Sequence, residues 1–244
     1  MAKHFQLQAI LLTALLFSAV FGILPAHALL GESKPLLTPY SATYHLTRDG
    51  MAAEVTRKLE RSGEGRWQLH DSARVLFFSM QETAIVDFDG ENIKPVKYRH
   101  RQSPGNSKDQ TIRYDWKKQQ ATFDLDDGER TAKLKKETFD RLSYQIQLRL
   151  DLLAGRLQQP RTYDLVDRGR HKQYRIEKVG EEMLTLDNRQ IQTLKLRQTR
   201  IGKDRETFIW VAPDLDYLII KMERDDDDGR IRMQLKPESL KFKS

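Results

Sequence analysis

The chain has 244 residues, of which 39% are hydrophobic and 32% charged, with a formal net charge of +7 and no cysteine. That length suits one sizeable core. The missing cysteines exclude disulfide scaffolds, cysteine catalysis and a lipid-anchored lipoprotein. The positive residues are spread along the chain. They read as a solvated surface compatible with anionic lipid or lipopolysaccharide, and they form no recognisable nucleic-acid module.

The chain opens on the basic Met1-Ala2-Lys3-His4, followed by an apolar run from Ala9 to Leu24 and then Pro25-Ala26-His27-Ala28. This is the pattern of a secretory signal peptide, residues 1–28, with cleavage expected between Ala28 and Leu29. The apolar run falls short of the roughly 20 residues that a membrane-spanning helix needs. The mature chain is therefore expected in the periplasm of a Gram-negative envelope. Residues 29–39, with Gly31, Pro35 and Pro39, read as a flexible lead-in to a single β-rich domain over 40–244.

From Tyr40 the pattern turns to strict alternation. Tyr40, Ala42, Tyr44 and Leu46 lie on one side, with Ser41, Thr43, His45 and Thr47 on the other, as in a strand with one buried face. The signal recurs at Ala53, Val55 and Leu59, at Trp67, Leu69, Ala73 and Val75, at Ile112, Tyr114 and Trp116, at Phe123 and Leu125, and at Ile231, Met233 and Leu235. Asp-Gly pairs at 49–50, 89–90, 127–128 and 228–229 separate these runs, and Ser62-Gly63-Glu64-Gly65 adds another break. Asp and Gly both tolerate the positive φ of a type I′ turn, so the pairs predict hairpins.

One segment has a different period. Phe139, Leu142, Ile146, Leu150 and Leu153 recur every three or four residues, which predicts an amphipathic helix over 138–154. Thr138 is its expected N-cap, Asp140 lies in its first turn and Gly155 follows as C′ residue. Pro160 closes the connection. Strands are then expected at 161–168, 171–179, 190–200, 205–211, 216–223 and 230–236, broken at Gly169, Gly180, Gly202 and Asp214. The fold class is mainly β: a single-domain curved antiparallel sheet, half-barrel or open barrel-like, packed around one long amphipathic helix.

Several stretches resemble the DUF3108 family of exported bacterial proteins of unknown function. They are Phe88-Asp89-Gly90 with Pro95-Val96-Lys97-Tyr98, Thr138-Phe139-Asp140-Arg141-Leu142-Ser143-Tyr144, Thr207-Phe208-Ile209-Trp210-Val211-Ala212-Pro213-Asp214, and Tyr217-Leu218-Ile219-Ile220-Lys221-Met222-Glu223. The resemblance spans about residues 40–237 and departs at Ile219, where family members often carry proline. It implies fold and compartment and no activity. A looser likeness, to the periplasmic lipoprotein-carrier half-barrels, is one of fold alone.

The chemistry of the chain is largely defined by what it lacks. There is no Gly-x-Ser-x-Gly elbow and no glycine-rich phosphate loop. His45, His70, His100 and His171 have no partner at i+2 or i+4, so no local zinc site is encoded. If Gly229 is set at the glycine of a calcium loop, Arg224 falls at the first ligand position and Leu235 at the last, so Asp225-Asp226-Asp227-Asp228 reads as an acidic hairpin tip. No catalytic residue, metal or cofactor is expected. Candidate ligand-binding residues are Asp140, Tyr144 and Trp210. Asp140 also suits a helix N-terminus for dipole reasons, and Trp67, Trp116 and Trp210 also suit a core. The leading expectation is a non-enzymatic protein that shelters an apolar ligand, or grips a lipid, glycolipid or envelope protein, in transport or assembly. A polysaccharide or lipid hydrolase and a structural partner of an envelope complex are the alternatives. The carrier version requires an open concave face, one not filled by Phe139, Leu142, Ile146 and Leu150.

Overall fold

The computed structural model describes residues 37–63, 65–89, 91–105, 108–226 and 229–243. The signal segment, the Ala28–Leu29 bond, most of the lead-in, and Asp227 and Asp228 lie outside them. At the end of the lead-in, Leu37 is fully buried and the Thr38 hydroxyl donates to Asp216 Oδ2 at 2.7 Å.

The first block of strands is a meander: β1 Tyr40–Arg48, β2 Met51–Arg61, β3 Arg66–Val75, β4 Phe78–Asp89, β5 Asn92–Ser103, β6 Gln110–Asp115, β7 Gln120–Leu125 and β8 Gly128–Lys133. The two-residue β9, Thr138–Phe139, precedes the helix α1, Ser143–Leu153. The second block is β10 Arg161–Asp167, β11 Arg170–Leu186, β12 Arg189–Arg200, β13 Glu206–Ala212, β14 Leu218–Asp226 and β15 Gly229–Leu235, followed by the short β16 Lys241–Phe242. All sixteen strands belong to one curved, unclosed sheet in the order β8-β7-β6-β5-β4-β3-β2-β1-β15-β14-β13-β12-β11-β10-β9, with β16 beside β1. The blocks join where β1 meets β15, with Tyr44 opposite Leu235, and among the described residues only β9–β10 is parallel.

Alternation selects the inner face as the sequence predicts: Tyr40, Ala42 and Tyr44 are buried, and so are Val55, Leu59, Trp67 and Leu69. The Asp49-Gly50 turn takes positive φ at both residues, +50° and +85°. Gly180 does not end a strand as expected. It sits at a register shift opposite β12, and β11 runs on to a turn at Asp187-Asn188, both with positive φ. A bulge absorbs the extra residue and bends the strand without breaking the ladder.

The helix differs most from expectation. It is 11 residues long and starts at Ser143, while Thr138 pairs with Asp164 in a strand. Asp140 supplies the capping chemistry instead. Its Oδ1 accepts from Leu142 N–H (3.0 Å) and Ser143 N–H (2.8 Å), and the Ser143 hydroxyl accepts from Asp140 N–H at 2.8 Å. This reciprocal arrangement is a capping box. At the other end Gly155, φ +67°, holds the C′ position, with Arg156 N–H bonded to Asp151 O and Gly155 N–H to Leu152 O, the Schellman pattern. Nor is the helix amphipathic. Gln147, Arg149 and Asp151 are buried along with Ile146, Leu148 and Leu150. A helix enclosed by a curved sheet has no solvent face, so its polar residues bond to the wall: Gln147 accepts from Ile93 N–H and donates to Asn92, and Asp151 accepts from Tyr163 OH at 2.7 Å.

The ends of the sheet approach each other without a backbone ladder, and side chains stitch the seam. Gln110 donates to Asp167 Oδ1 (2.7 Å) and accepts from Arg168 N–H; Arg168 reaches Asp126, and His171 Nε2 bonds Lys133 O. Gly169, φ +78°, lies so close to β8 that a Cβ there would be 3.1 Å from Arg130 Cβ.

Candidate functional site

On the inner face, five adjacent strands each contribute a polar residue at the same register. Arg57 faces Asp71, Asp71 faces Glu82, Glu82 faces His100 and His100 faces Gln110. None is more than 5% exposed. Burying such a row is costly unless each group finds a partner. The N-terminal turn of α1 lies over it and supplies several.

Arg57 binds Asp71 in a fork, Nε to Oδ1 at 2.7 Å and Nη2 to Oδ2 at 2.6 Å, and its Nη1 donates to Gln145 of the helix at 2.9 Å. Burial alone would lower the Arg57 pKa, but the Asp71 carboxylate offsets it and holds the guanidinium above its ordinary value. Glu82 Oε1 accepts from Tyr98 OH (2.6 Å), His100 Nδ1 (3.0 Å) and Arg141 Nη2 (2.8 Å). Burial pushes its pKa up, while the Arg141 charge and the His100 and Tyr98 bonds pull it down, to about 2. Asp140 behaves oppositely. Full burial outweighs its bonds to Ser143, Leu142 and Tyr114 and raises its pKa to about 6.

The row therefore carries paired charges, with its carboxylates already bonded. Asp71 and Glu82 are neighbours, as a two-carboxylate mechanism would need, yet one is clamped by a guanidinium and the other by three donors. What the geometry accomplishes chemically is to lock the helix to the wall. His100 Nε2 is buried without a hydrogen-bond partner among the described residues.

Next to Arg57 a cavity of about 30 Å³ opens between Tyr40, Leu59, Leu69, Ile146 and Arg149. It has room for one or two waters, against the several hundred Å³ of a small-molecule site. Arg149 stacks over Tyr40 at 5.2 Å and donates through Nε to Asp216 O, and burial lowers its pKa. Beside it, apolar side chains of the helix segment fill the concave face. Phe139, Leu142, Ile146 and Leu150 are each at most 3% exposed.

Of the residues the sequence singles out, Asp140 and Tyr144 lie one turn apart at the start of the helix; Asp140 Oδ2 accepts from Tyr114 OH at 3.2 Å, and the Tyr144 hydroxyl donates to Gln198 Oε1 at 3.0 Å. Trp210 is elsewhere, on the other block of strands, with its indole N–H on Glu182 (2.7 Å) and the Lys195 and Lys221 ammonium groups over its ring at 4.8 and 4.5 Å. Trp67 is buried, and half-buried Trp116 donates to Pro95 O. The buried row itself escapes a reading by apolar residues, although its signal is present: Arg57 lies between Val55 and Leu59, and Asp71 between Leu69 and Ala73, at inward parity.

A family model described as a protein of unknown function (DUF3108) matches residues 39–236. Among curated proteins no sequence matches the chain. The crystal structure of a β-barrel-like protein of a domain of unknown function, DUF1849, from Brucella abortus superposes with a TM-score of 0.58 at 14% identity, covering 85% of this chain and 99% of that one. That likeness is one of fold.

Proposed function

The chain belongs to the DUF3108 family of proteins of unknown function, and on that footing we propose that it is a non-enzymatic binding protein of the Gram-negative periplasm. It engages an apolar ligand or an envelope partner, in transport or assembly, at one edge of its sheet and not inside it. The observation that carries this reading is the β3–β4 turn, where Leu76 and Phe77 are 89% and 93% exposed. The concave face is filled and the polar row beneath it is bonded within the protein, which leaves apolar surface for binding at the rim. Export rests on the signal pattern of residues 1–28. Singly scattered apolar side chains need no explanation on a protein surface, but consecutive ones on a projecting turn do.

The test is photo-crosslinking in intact cells, with a photo-reactive residue in place of Phe77 and, as control, in place of exposed Lys118 at the opposite edge. Lipid or protein adducts at 77 and none at 118 are expected, on a chain whose mass begins at Leu29. No adduct at 77, or a chain retained in the cytoplasm with residues 1–28 attached, overturns the reading.

A further inference from the structure

The β3–β4 hairpin breaks a rule that its neighbours obey. Val75 pairs with Phe78, leaving Leu76 and Phe77 as a two-residue turn, and Leu76 adopts φ +46°. Positive φ favours glycine, asparagine or aspartate, and the adjacent β1–β2 turn duly uses Asp49-Gly50. Folding alone gives no reason for leucine here, and still less for Leu76-Phe77-Phe78 exposed at 89%, 93% and 43%. Met51, which begins β2 at the same edge of the sheet, is 69% exposed.

Both signs of charge occur at this end of the sheet, with Asp49 paired to Arg48 and Asp109 to Arg101, and two exposed cations beside the tip have no salt-bridge partner among the described residues. Arg74, two residues before the turn, is exposed on the outer face of β3. Lys108 is exposed on the next turn at the same end of the sheet. Arg74 lies opposite Glu54 on β2, whose carboxylate is held by Lys236 at 2.7 Å.

A projecting apolar tip flanked by unneutralised cations matches a lipid–water interface. The apolar side chains enter the acyl boundary and the cations meet anionic headgroups. Resting on the rim-binding reading above, we infer that the Leu76-Phe77-Phe78 hairpin docks the protein onto an anionic phospholipid bilayer. The convexity of the tip favours this occupant over a flat protein partner, because the two side chains of the turn and Phe78 beside them can penetrate a fluid interface but present little area for rigid packing.

Protein purified from its own periplasm is floated with vesicles of phosphatidylethanolamine and phosphatidylglycerol, or of phosphatidylcholine alone. Binding to the phosphatidylglycerol vesicles, weakened by salt, is expected. Leu76→Ser with Phe77→Ser reduces partitioning on the order of tenfold or more through lost apolar burial, and Arg74→Gln reduces it roughly fivefold. Both sites are exposed, so the thermal melt remains that of the parent. Three results overturn the assignment: no phosphatidylglycerol binding, equal binding by the double variant, or a dimer in sedimentation velocity that the double variant dissociates. Protein adducts at position 77 together with a failed flotation would end the bilayer assignment and leave the rim-binding reading standing, whereas absence of any adduct ends that reading itself.

Discussion

Arg57 and Asp71 face each other across β2 and β3 on the inner side of the sheet, joined by two parallel hydrogen bonds of 2.7 and 2.6 Å. Both are 5% exposed. The pair makes sense only with Gln145 of α1 against it, because the helix excludes the water that would otherwise solvate either ion. Removing one partner is therefore far worse than removing both. Asp71→Ala should lower the unfolding free energy by about 3–5 kcal/mol, and Arg57→Met with Asp71→Leu should lose much less. Urea titration at neutral pH checks this. Equal losses in the single and double variants would show that packing, not the stranded guanidinium, sets the cost.

Glu82 should make the protein acid-labile. Its pKa of about 2 lies below that of a carboxylate in the unfolded chain, so its contribution is fully present above about pH 4.3. It is lost as pH falls through 2, by about 3 kcal/mol in all. Glu82→Gln should flatten the stability profile between pH 5 and 2, measured by denaturant titration at each pH. An unchanged slope would mean that Arg141 does not hold the carboxylate in solution.

Asp140 has the reverse sign. With a folded pKa of about 6 its protonated form is favoured in the native state, so its contribution is full below about pH 3.9 and declines as pH rises through 6, by about 2–3 kcal/mol. Asp140→Asn keeps the acceptor for Leu142 and Ser143 and should remove that decline. Asp140→Ala loses the cap as well, at a cost of about 1 kcal/mol. Comparing the three proteins at pH 4 and pH 7 separates capping from titration.

The seam depends on Gly169. Alanine there must adopt φ +78° and bring Cβ to 3.1 Å from Arg130 Cβ, so Gly169→Ala should lose about 1–2 kcal/mol. An Arg130→Ala background removes the Cδ contact at 3.2 Å and keeps the Cβ contact at 3.1 Å, so it should relieve part of the steric loss, and Arg130→Gly should relieve the rest. A double-mutant cycle read by thermal melts tests the coupling.

The strand pattern was legible because period-two alternation needs only a buried and a solvated face, and Tyr40, Ala42 and Tyr44 supply one directly. Gly155 was legible for a similar reason: a C′ glycine is a local device. The helix start was not. Thr138 and Asp140 are both acceptable caps, and the choice fell to Asp140 because Thr138 was drawn into a parallel pair with β10, which lies more than twenty residues along the chain. Periodicity placed Phe139 on a helix face by the same error.

By itself the sequence determined which side of each strand turns inward and where most hairpins close, because those properties reside in neighbouring residues. Tertiary structure alone decided that Arg57, Asp71, Glu82, His100 and Gln110 would share one register beneath the helix, and that Gln147, Arg149 and Asp151 would be buried with it. Cross-strand partners are set by registers accumulated through successive hairpins, and an enclosed helix loses its solvent face only when a curved sheet surrounds it. Neither condition can be expressed within a short window of chain.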